Sequence, residues 1–345
     1  MIRFALIAAS TLGFFLTAAF GNLMVPLLRA FQGRNAPQVP QQRQEQSPEQ
    51  RENAPPPQVP TLGGLCLMVG VLAAVGVGWT AACAAEPQLL GAEGRFSTRL
   101  LIALFGALLF GGVGLADDLA RLRRRAPLGL RRGPRLLLEA GAGAVVLVLL
   151  GAAGCLPTGL SLPEAGYLSL GPAAALLWEL LLVALAESVR VTDGPDGLVC
   201  GTAFAAMLGL MATMTVLGWF PLGVLPAALA GALIAFLLWN FPPAALRLGA
   251  VGSYFLAGAL GCMPLCIGWP GLALPLGLPY WLEGGMVALQ LLVYKASCGR
   301  RQLFRSAPLH RWLELRGRSA VRIFYTFCAV AMAGAALTLQ LAKIS

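Results

Sequence analysis

The feature that most constrains this chain is a series of ten long apolar segments. Each is close to the length of about 20 residues that an α-helix needs to cross a bilayer. Charged residues make up only 12% of the sequence, about half the share in an average soluble domain. This excludes a soluble globular fold, a disordered chain and, despite the net charge of +10, a nucleic-acid-binding protein. The segments cover residues 2–31, 61–84, 97–116, 134–154, 171–190, 197–218, 222–241, 250–269, 278–297 and 319–342.

We therefore predict an all-α integral membrane protein in which residues 1–345 form a single polytopic domain of about ten transmembrane helices. We interpret residues 2–31 as the first of these helices rather than a signal peptide, since no clear small-residue cleavage site follows the apolar run. The eight cysteines lie mostly within apolar segments and lack metal-ligand spacing, so we interpret them as small apolar residues.

The distribution of Lys and Arg predicts the orientation in the membrane. With the N-terminus outside and the segments alternating, 21 of the 25 Lys and Arg residues fall on the cytosolic side. Cytosolic loops of membrane proteins are enriched in these residues. Ten spans then place both termini outside. Residues 32–60 are rich in Gln and Pro and poor in large apolar residues, so we expect a mobile cytosolic loop there.

The four aspartates of the chain all lie at predicted cytosolic helix ends. Asp117 and Asp118 follow the third segment, and Asp193 and Asp196 lie between the fifth and sixth. Carboxylates in such positions are ligands that Mg²⁺ shares with substrate phosphates. The alternative for any single Asp is a helix cap or a turn. Four on one face of the membrane predict a site in a cytosolic cleft.

Basic residues accompany both aspartate pairs on the predicted cytosolic side. The single histidine, His310, lies in the longest basic loop. Arginine binds phosphate through two parallel hydrogen bonds, although orientation and lipid headgroups also recruit it. Together these groups predict phosphoryl transfer between a soluble nucleotide-linked donor and a phosphorylated lipid. The arginines are Arg121, Arg123, Arg124, Arg125, Arg131, Arg132 and Arg135, and then Arg300, Arg301, Arg305, Arg311, Arg316, Arg318 and Arg322.

Five short segments between residues 60 and 330 form an ordered set of motifs. They are PTLGG at 60–64, GLADDL at 114–119, VTDGPDGL at 191–198, WNFPPA at 239–244, and FRSAPLH at 304–310 with ELRG at 314–317. They resemble the P-T-M-G-G, G-x-x-D-D, N-L-T-D-G-L-D-G-L, Y-N-x-x-P-A and F-R-x-A-P-I-H-H-H-F-E-L-K-G motifs of the polyprenyl-phosphate N-acetylhexosamine-1-phosphate transferases. Within that family the likeness is greatest to the phospho-N-acetylmuramoyl-pentapeptide-transferases of peptidoglycan synthesis.

The resemblance implies a phosphotransferase at the cytosolic face of a bacterial plasma membrane. It implies transfer of phospho-N-acetylmuramoyl-pentapeptide, or a related phospho-N-acetylhexosamine, from a UDP-linked sugar to undecaprenyl phosphate, with release of UMP. It implies that Asp117, Asp118 and His310 are catalytic, and that Asp117 and Asp118 bind Mg²⁺. No nucleic-acid partner is expected, and a homodimer is one assembly open to the chain. The implied substrate-binding residues are Thr192, Asp193, Asp196, Asn240, Arg121, Arg135 and Arg305.

The sequence also departs from the family pattern. The family motif F-M-G-D-x-G-S reads RLGAVGS at 247–253. Arg247 therefore replaces the aromatic residue that stacks on uracil, and Ala250 replaces an aspartate that binds magnesium. Glu187 and Arg190 replace two asparagines, which makes Glu187 a candidate substitute ligand. These departures leave a second hypothesis open, in which the chain is a catalytically inactive paralogue that serves as a lipid-binding or assembly partner of envelope enzymes.

Overall fold

The computed structural model describes residues 2–35, 59–90, 96–124, 129–162 and 166–344. Helices account for most of these residues, with short 3-10 turns at Pro87–Leu90, Phe220–Gly223 and Pro270–Leu272. The helices are α1 (Ile2–Asn35), α2 (Gly64–Ala85), α3 (Phe96–Arg124), α4 (Arg132–Ala152), α5 (Ala173–Thr192), α6 (Leu198–Val216), α7 (Val224–Asn240), α8 (Gly249–Cys266), α9 (Ala273–Leu276), α10 (Leu278–Ala296), α11 (Leu309–Leu315) and α12 (Ala320–Ile344).

The helices confirm the predicted all-α membrane class, because each of the ten apolar segments forms one. Within the described residues, eight helices are long and apolar enough to cross a membrane on their own. A ninth span results if the bent pair Pro270–Leu276 and Leu278–Ala296 is counted as one. The fifth segment forms α5, which is more polar because it carries Glu179, Glu187 and Arg190.

Two features of the backbone were not predicted from the sequence. Strands β1 (Gly159–Leu162) and β2 (Gly166–Ser169) form an antiparallel hairpin between α4 and α5, with Gly159 opposite Ser169. The pair at 270–296 bends by 83°, and the break falls at Gly277, just before Pro279. Pro is favoured in the first turn of a helix, where its missing N–H is not needed. The expected mobile loop at 32–60 lies almost wholly outside the described residues.

Helix α8 forms the centre of the bundle. All 18 of its residues are buried, and it packs along α3, where Gly258 faces the backbone of Ala107. The outer helices instead present large apolar side chains outward, among them Phe4 and Phe15 of α1 and Tyr325 of α12. An apolar surface of this kind suits contact with lipid rather than water.

The start of the first helix and the end of the last helix lie at the same end of the bundle. Leu6, near the start of α1, packs on Gly223 just before α7. Phe324, near the start of α12, packs on Gly197 just before α6. Since α7 ends and α6 begins at the other end of the bundle, the sequence motifs gather at the end remote from Ile2 and Ile344.

Candidate active site

A polar cavity of about 190 Å³ lies where the ends of α3, α5, α7 and α8 meet. Residues from three of the five sequence motifs and from the 247–253 segment line it, and three arginines from different parts of the chain are among them. Its lining consists of Thr61, Arg121, Arg190, Asp193, Gly194, Pro195, Asp196, Asn240, Arg247, Leu248, Gly249, Ala250 and Ser253.

Asp117 and Asp118 both lie buried at the end of α3, where they hold neighbouring segments in place. Asp117 accepts a hydrogen bond from the Leu130 backbone N–H at 2.8 Å, and its other oxygen lies 3.1 Å from Arg121. Asp118 accepts a hydrogen bond from the Val251 backbone N–H at 3.0 Å. It therefore caps the start of α8, where exposed backbone N–H groups favour a negative charge.

The start of α8 requires glycine at position 249. Gly249 has φ = +76°, and a Cβ there would lie 2.8 Å from the Oδ2 atom of Asp118. The next residue, Ala250, is buried and lines the cavity. The residue after it, Val251, donates its backbone N–H to Asp118, and the family pattern has a carboxylate at position 250.

The loop between α5 and α6 brings the second aspartate pair to the cavity. Asp196 accepts a hydrogen bond from the Ala244 backbone N–H at 3.0 Å and lies 3.5 Å from Arg247. Burial, and after it the negative charge of Asp118, raises the pKa of the Asp193 carboxyl from 3.8 to about 7. Asp193 is thus the group of this loop that is set to exchange a proton near neutral pH.

His310 lies beside the same loop. A Cβ on Gly194 would lie 2.7 Å from the Nε2 atom of His310, so this nitrogen faces the segment between the two aspartates. The Nδ1 atom lies 3.2 Å from Glu283, and Glu283 also accepts hydrogen bonds from the backbone N–H groups of Leu309 and His310. The buried Glu283 therefore fixes both the ring and the start of α11.

Behind the cavity, α4, α5 and α8 share a buried cluster of charged and polar groups. Glu187 faces two guanidinium groups, with Arg135 at 3.1 and 3.3 Å and Arg190 at 3.0 and 2.9 Å. The hydroxyl of Tyr254 donates to Glu139 at 2.5 Å and lies 3.3 Å from Glu187. Of these side chains, Arg190 is the one that reaches the cavity.

Of the four remaining predicted substrate-binding residues, one lines the cavity and three do not. Asn240 lines the cavity, and its side-chain N–H donates to the Leu246 carbonyl at 2.9 Å. Thr192 is buried and donates to the Ser188 carbonyl at 2.8 Å. Arg135 belongs to the buried cluster, while Arg305 is exposed; neither lines the cavity.

The donor set does not fit a magnesium ion held by the described part of this chain. Those residues contain no three His, Cys, Asp or Glu side chains grouped closely enough to share a metal. Glu187, the expected substitute ligand, directs both oxygens at guanidinium groups, and Asp117 is similarly engaged. The Oδ1 atom of Asp118 accepts no hydrogen bond, but it lies 3.7 Å from Arg121. Asp193 is a second carboxylate near Asp118, but the positive charges of Arg121 and Arg247 act on it as well. Carboxylates beside guanidinium groups make a poor magnesium site.

Sequence reasoning gave no role in the site to three residues that shape it. Arg190 reaches the cavity, Tyr254 joins Glu139 to Glu187, and Glu283 orients His310. Glu283 carried a recognisable signal, because an acidic residue inside an apolar segment is rare without a function. Tyr254 carried none, since an aromatic residue is ordinary in such a segment.

Comparison with known proteins identifies the family of the chain. Residues 100–268 match the family model described as glycosyl transferase family 4. The chain is 31% identical over 307 residues, 80% of this chain and 83% of the relative, to phospho-N-acetylmuramoyl-pentapeptide-transferase of Mycobacterium tuberculosis. It is 29% identical over 316 residues, 92% of both chains, to the protein of that name from Lactiplantibacillus plantarum. The corresponding protein of Clostridium kluyveri is 28% identical over 328 residues, 95% of this chain and 96% of the relative. The chain therefore belongs to the family of the phospho-N-acetylmuramoyl-pentapeptide-transferases, and its central residues match the glycosyl transferase family 4 model.

Proposed function

We propose that this protein transfers phospho-N-acetylmuramoyl-pentapeptide, or a related phospho-N-acetylhexosamine, from a UDP-linked sugar to undecaprenyl phosphate and releases UMP. The observation that carries the proposal is the cavity at the start of α8, where three arginines and two aspartates lie on one polar surface. The names of the relatives support the sugar and the reaction class. Guanidinium groups stabilise the charge that phosphoryl transfer spreads over phosphate oxygens.

In the reaction, one phosphorus–oxygen bond forms as another breaks. An oxygen of the lipid phosphate attacks the phosphorus next to the sugar, and the bond from that phosphorus to the oxygen bridging to UMP breaks. UMP leaves with the electron pair of that bond. When a lipid phosphate monoanion attacks, Asp193 accepts its proton, because its pKa lies near 7. His310, held in orientation by Glu283 through Nδ1, directs Nε2 toward the segment between Asp193 and Asp196.

The first aspartate pair contributes indirectly in this proposal. Asp117 holds Arg121 at the cavity, and Asp118 holds the start of α8 through Val251. Neither role passes through a metal ion. Replacement of either carboxylate by the amide is expected to weaken phosphate binding, because the group it holds in place would move.

We further propose that the cavity faces the cytosol of a bacterial cell. The bias of Lys and Arg toward the predicted cytosolic loops supports this orientation. So does the position of the motifs at the end of the bundle remote from the described chain ends. A UDP-linked sugar, made in the cytosol, would then reach the cavity from water while the lipid phosphate reaches it from the membrane.

The direct test measures UMP release by the purified full chain, given UDP-N-acetylmuramoyl-pentapeptide and undecaprenyl phosphate. We expect release that depends on both substrates and falls by about a hundredfold or more in Asp193→Asn, since general-base groups contribute this much. Glu86→Gln is the matched control, because Glu86 is an exposed acid just after α2, outside the cavity. Equal rates for the two variants would contradict the role of Asp193.

The second candidate function is a catalytically inactive paralogue that binds lipid or assembles with envelope enzymes. It is favoured by Ala250, which supplies no oxygen, and by Glu187, whose oxygens are committed to arginines. A folded full chain that binds UDP but releases no UMP with any tested UDP-N-acetylhexosamine would support this candidate over transfer.

A further inference from the structure

Three guanidinium groups converge on the cavity from three separate elements. Arg121 belongs to α3, Arg190 to α5 and Arg247 to the segment before α8. Their side chains are 40%, 30% and 53% exposed, so each presents N–H groups to the cavity. Two aspartates share the lining, which leaves an excess of positive charge on the wall when all five groups are ionised.

Each arginine lies beside a carboxylate that limits its movement. Arg121 lies 3.1 Å from Asp117, and Arg247 lies 3.5 Å from Asp196. Arg190 makes a two-point contact with Glu187 at 3.0 and 2.9 Å. A guanidinium carries five N–H donors, and such a contact uses two. Three donors of Arg190 thus remain for an anion in the cavity.

The backbone around Arg247 is also fixed in place. Its N–H donates to the Pro60 carbonyl at 2.8 Å, and its carbonyl accepts from the Gly63 N–H at 3.0 Å. The following residue, Leu248, accepts from the Gly64 N–H at 2.8 Å. These bonds join the 60–64 motif to the segment that carries Arg247, and they hold its Cα at the cavity wall.

The cluster behind Arg190 is not expected to add much to the stability of the fold. Burying ion pairs costs about as much in desolvation as the attraction returns. Yet Glu187 faces Arg135 as well as Arg190, and Tyr254 connects it to the buried Glu139. A network that fixes Glu187 in one position also fixes the guanidinium of Arg190, so we interpret Glu187 as a positioning residue.

We propose that Arg121, Arg190 and Arg247 bind the diphosphate of a nucleoside diphosphate without a divalent cation. This inference rests on the proposed function for the identity of the ligand. The positive charge that a metal would bring is supplied by planar guanidiniums, which match phosphate oxygens in pairs. The poor magnesium donor set of the described residues and the methyl group of Ala250 are consistent with this substitution.

The test measures binding of UDP to the purified full chain by calorimetry, in EDTA and in excess magnesium. We expect binding in EDTA that magnesium improves by less than about threefold, a difference smaller than one hydrogen bond. Arg190→Gln and Arg247→Gln should each weaken UDP binding about ten- to hundredfold, because each removes charged hydrogen bonds. Arg300→Gln is the matched control, an exposed arginine outside the cavity.

A double-mutant cycle distinguishes positioning of Arg190 by Glu187 from a general structural defect. If Glu187 acts through Arg190, Glu187→Gln weakens UDP binding in the parent but has no further effect in Arg190→Gln. A structural defect would weaken binding in both backgrounds, and that result would overturn the positioning role.

Two results would overturn the binding site itself. One is UDP binding that disappears in EDTA and returns with magnesium; the other is equal binding by the parent, Arg190→Gln and Arg247→Gln. Metal-free UDP binding without UMP release would leave the site in place and contradict only the proposed transfer reaction. UMP release that requires magnesium, with UDP binding that persists in EDTA, would support both transfer and the metal-free site and assign the metal requirement to the transfer step.

Discussion

Substitution of one glycine should separate the two helices that carry the site. Gly114 of α3 faces the start of α8, and a Cβ at this position would lie 2.2 Å from the carbonyl oxygen of Ala250. Real Cβ atoms essentially never come closer than 3.0 Å to a neighbour. Gly114→Ala must therefore push α3 and α8 apart by close to 1 Å, at the place where Asp118 accepts the N–H of Val251.

The expected change in the free energy of unfolding follows from these two contacts. Overpacking of a buried contact costs about 1–3 kcal/mol, and weakening a hydrogen bond to a charged acceptor costs about 1.5–3 kcal/mol. Alanine returns about 0.5–1 kcal/mol through its better helix propensity. We expect the free energy of unfolding to fall by about 2–5 kcal/mol and UDP binding to weaken, because the Asp118–Val251 hydrogen bond is stretched.

Gly112→Ala provides the matched control. Gly112 lies on the same helix, and a Cβ there would meet nothing within 4 Å, so only the gain in helix propensity remains. The assay is thermal unfolding of both purified variants in one detergent, followed by tryptophan fluorescence, with UDP binding measured on the same samples. Equal melting temperatures for Gly114→Ala and Gly112→Ala would refute the close packing of α3 on α8.

Three further predictions concern the site. Ala250→Asp should make UDP binding stronger in magnesium than in EDTA, because it adds a carboxylate near Asp118. Arg247→Phe in the same chain should leave this magnesium effect in place. The absence of a magnesium effect in both variants would contradict the prediction. UDP binding should weaken as pH rises through about 7, since Asp193 loses its proton there and gains a charge that repels phosphate; Asp193→Asn should flatten that part of the profile, and identical profiles would refute it. Tyr254→Phe should lower the free energy of unfolding by about 1–3 kcal/mol, more than Tyr280→Phe, because Tyr254 donates to a buried carboxylate and Tyr280 to a neutral hydroxyl or carbonyl; a larger loss for Tyr280→Phe would be the contrary result.

The sequence predicts the helices well because apolar length is a local property. The order of the motifs also predicts which helix ends meet, and Asp193, Asp196, Asn240 and Arg121 do line one cavity. The β1–β2 hairpin was missed because its strands have four residues each, too few for a clear alternating pattern.

The engagement of the carboxylates could not be predicted from the sequence. Asp117 meets Leu130, and Asp118 meets a residue 133 positions further along the chain. No local sequence pattern indicates such a distant backbone partner. The same holds for Glu187, since its contact with Arg135 depends on how α4 packs against α5.

The complete burial of α8 has a consequence for the way the bilayer acts on this protein. Membrane proteins adapt to a thicker or thinner hydrocarbon layer by tilting the helices that touch lipid. No residue of α8 is exposed, whereas α1 and α12 carry exposed Phe4 and Tyr325. A change in lipid chain length should therefore tilt α1 and α12 first and reach the start of α8 only after the surrounding helices have moved. Ligand binding at the cavity is then expected to vary little between membranes of different thickness, while the stability of the outer helices varies more.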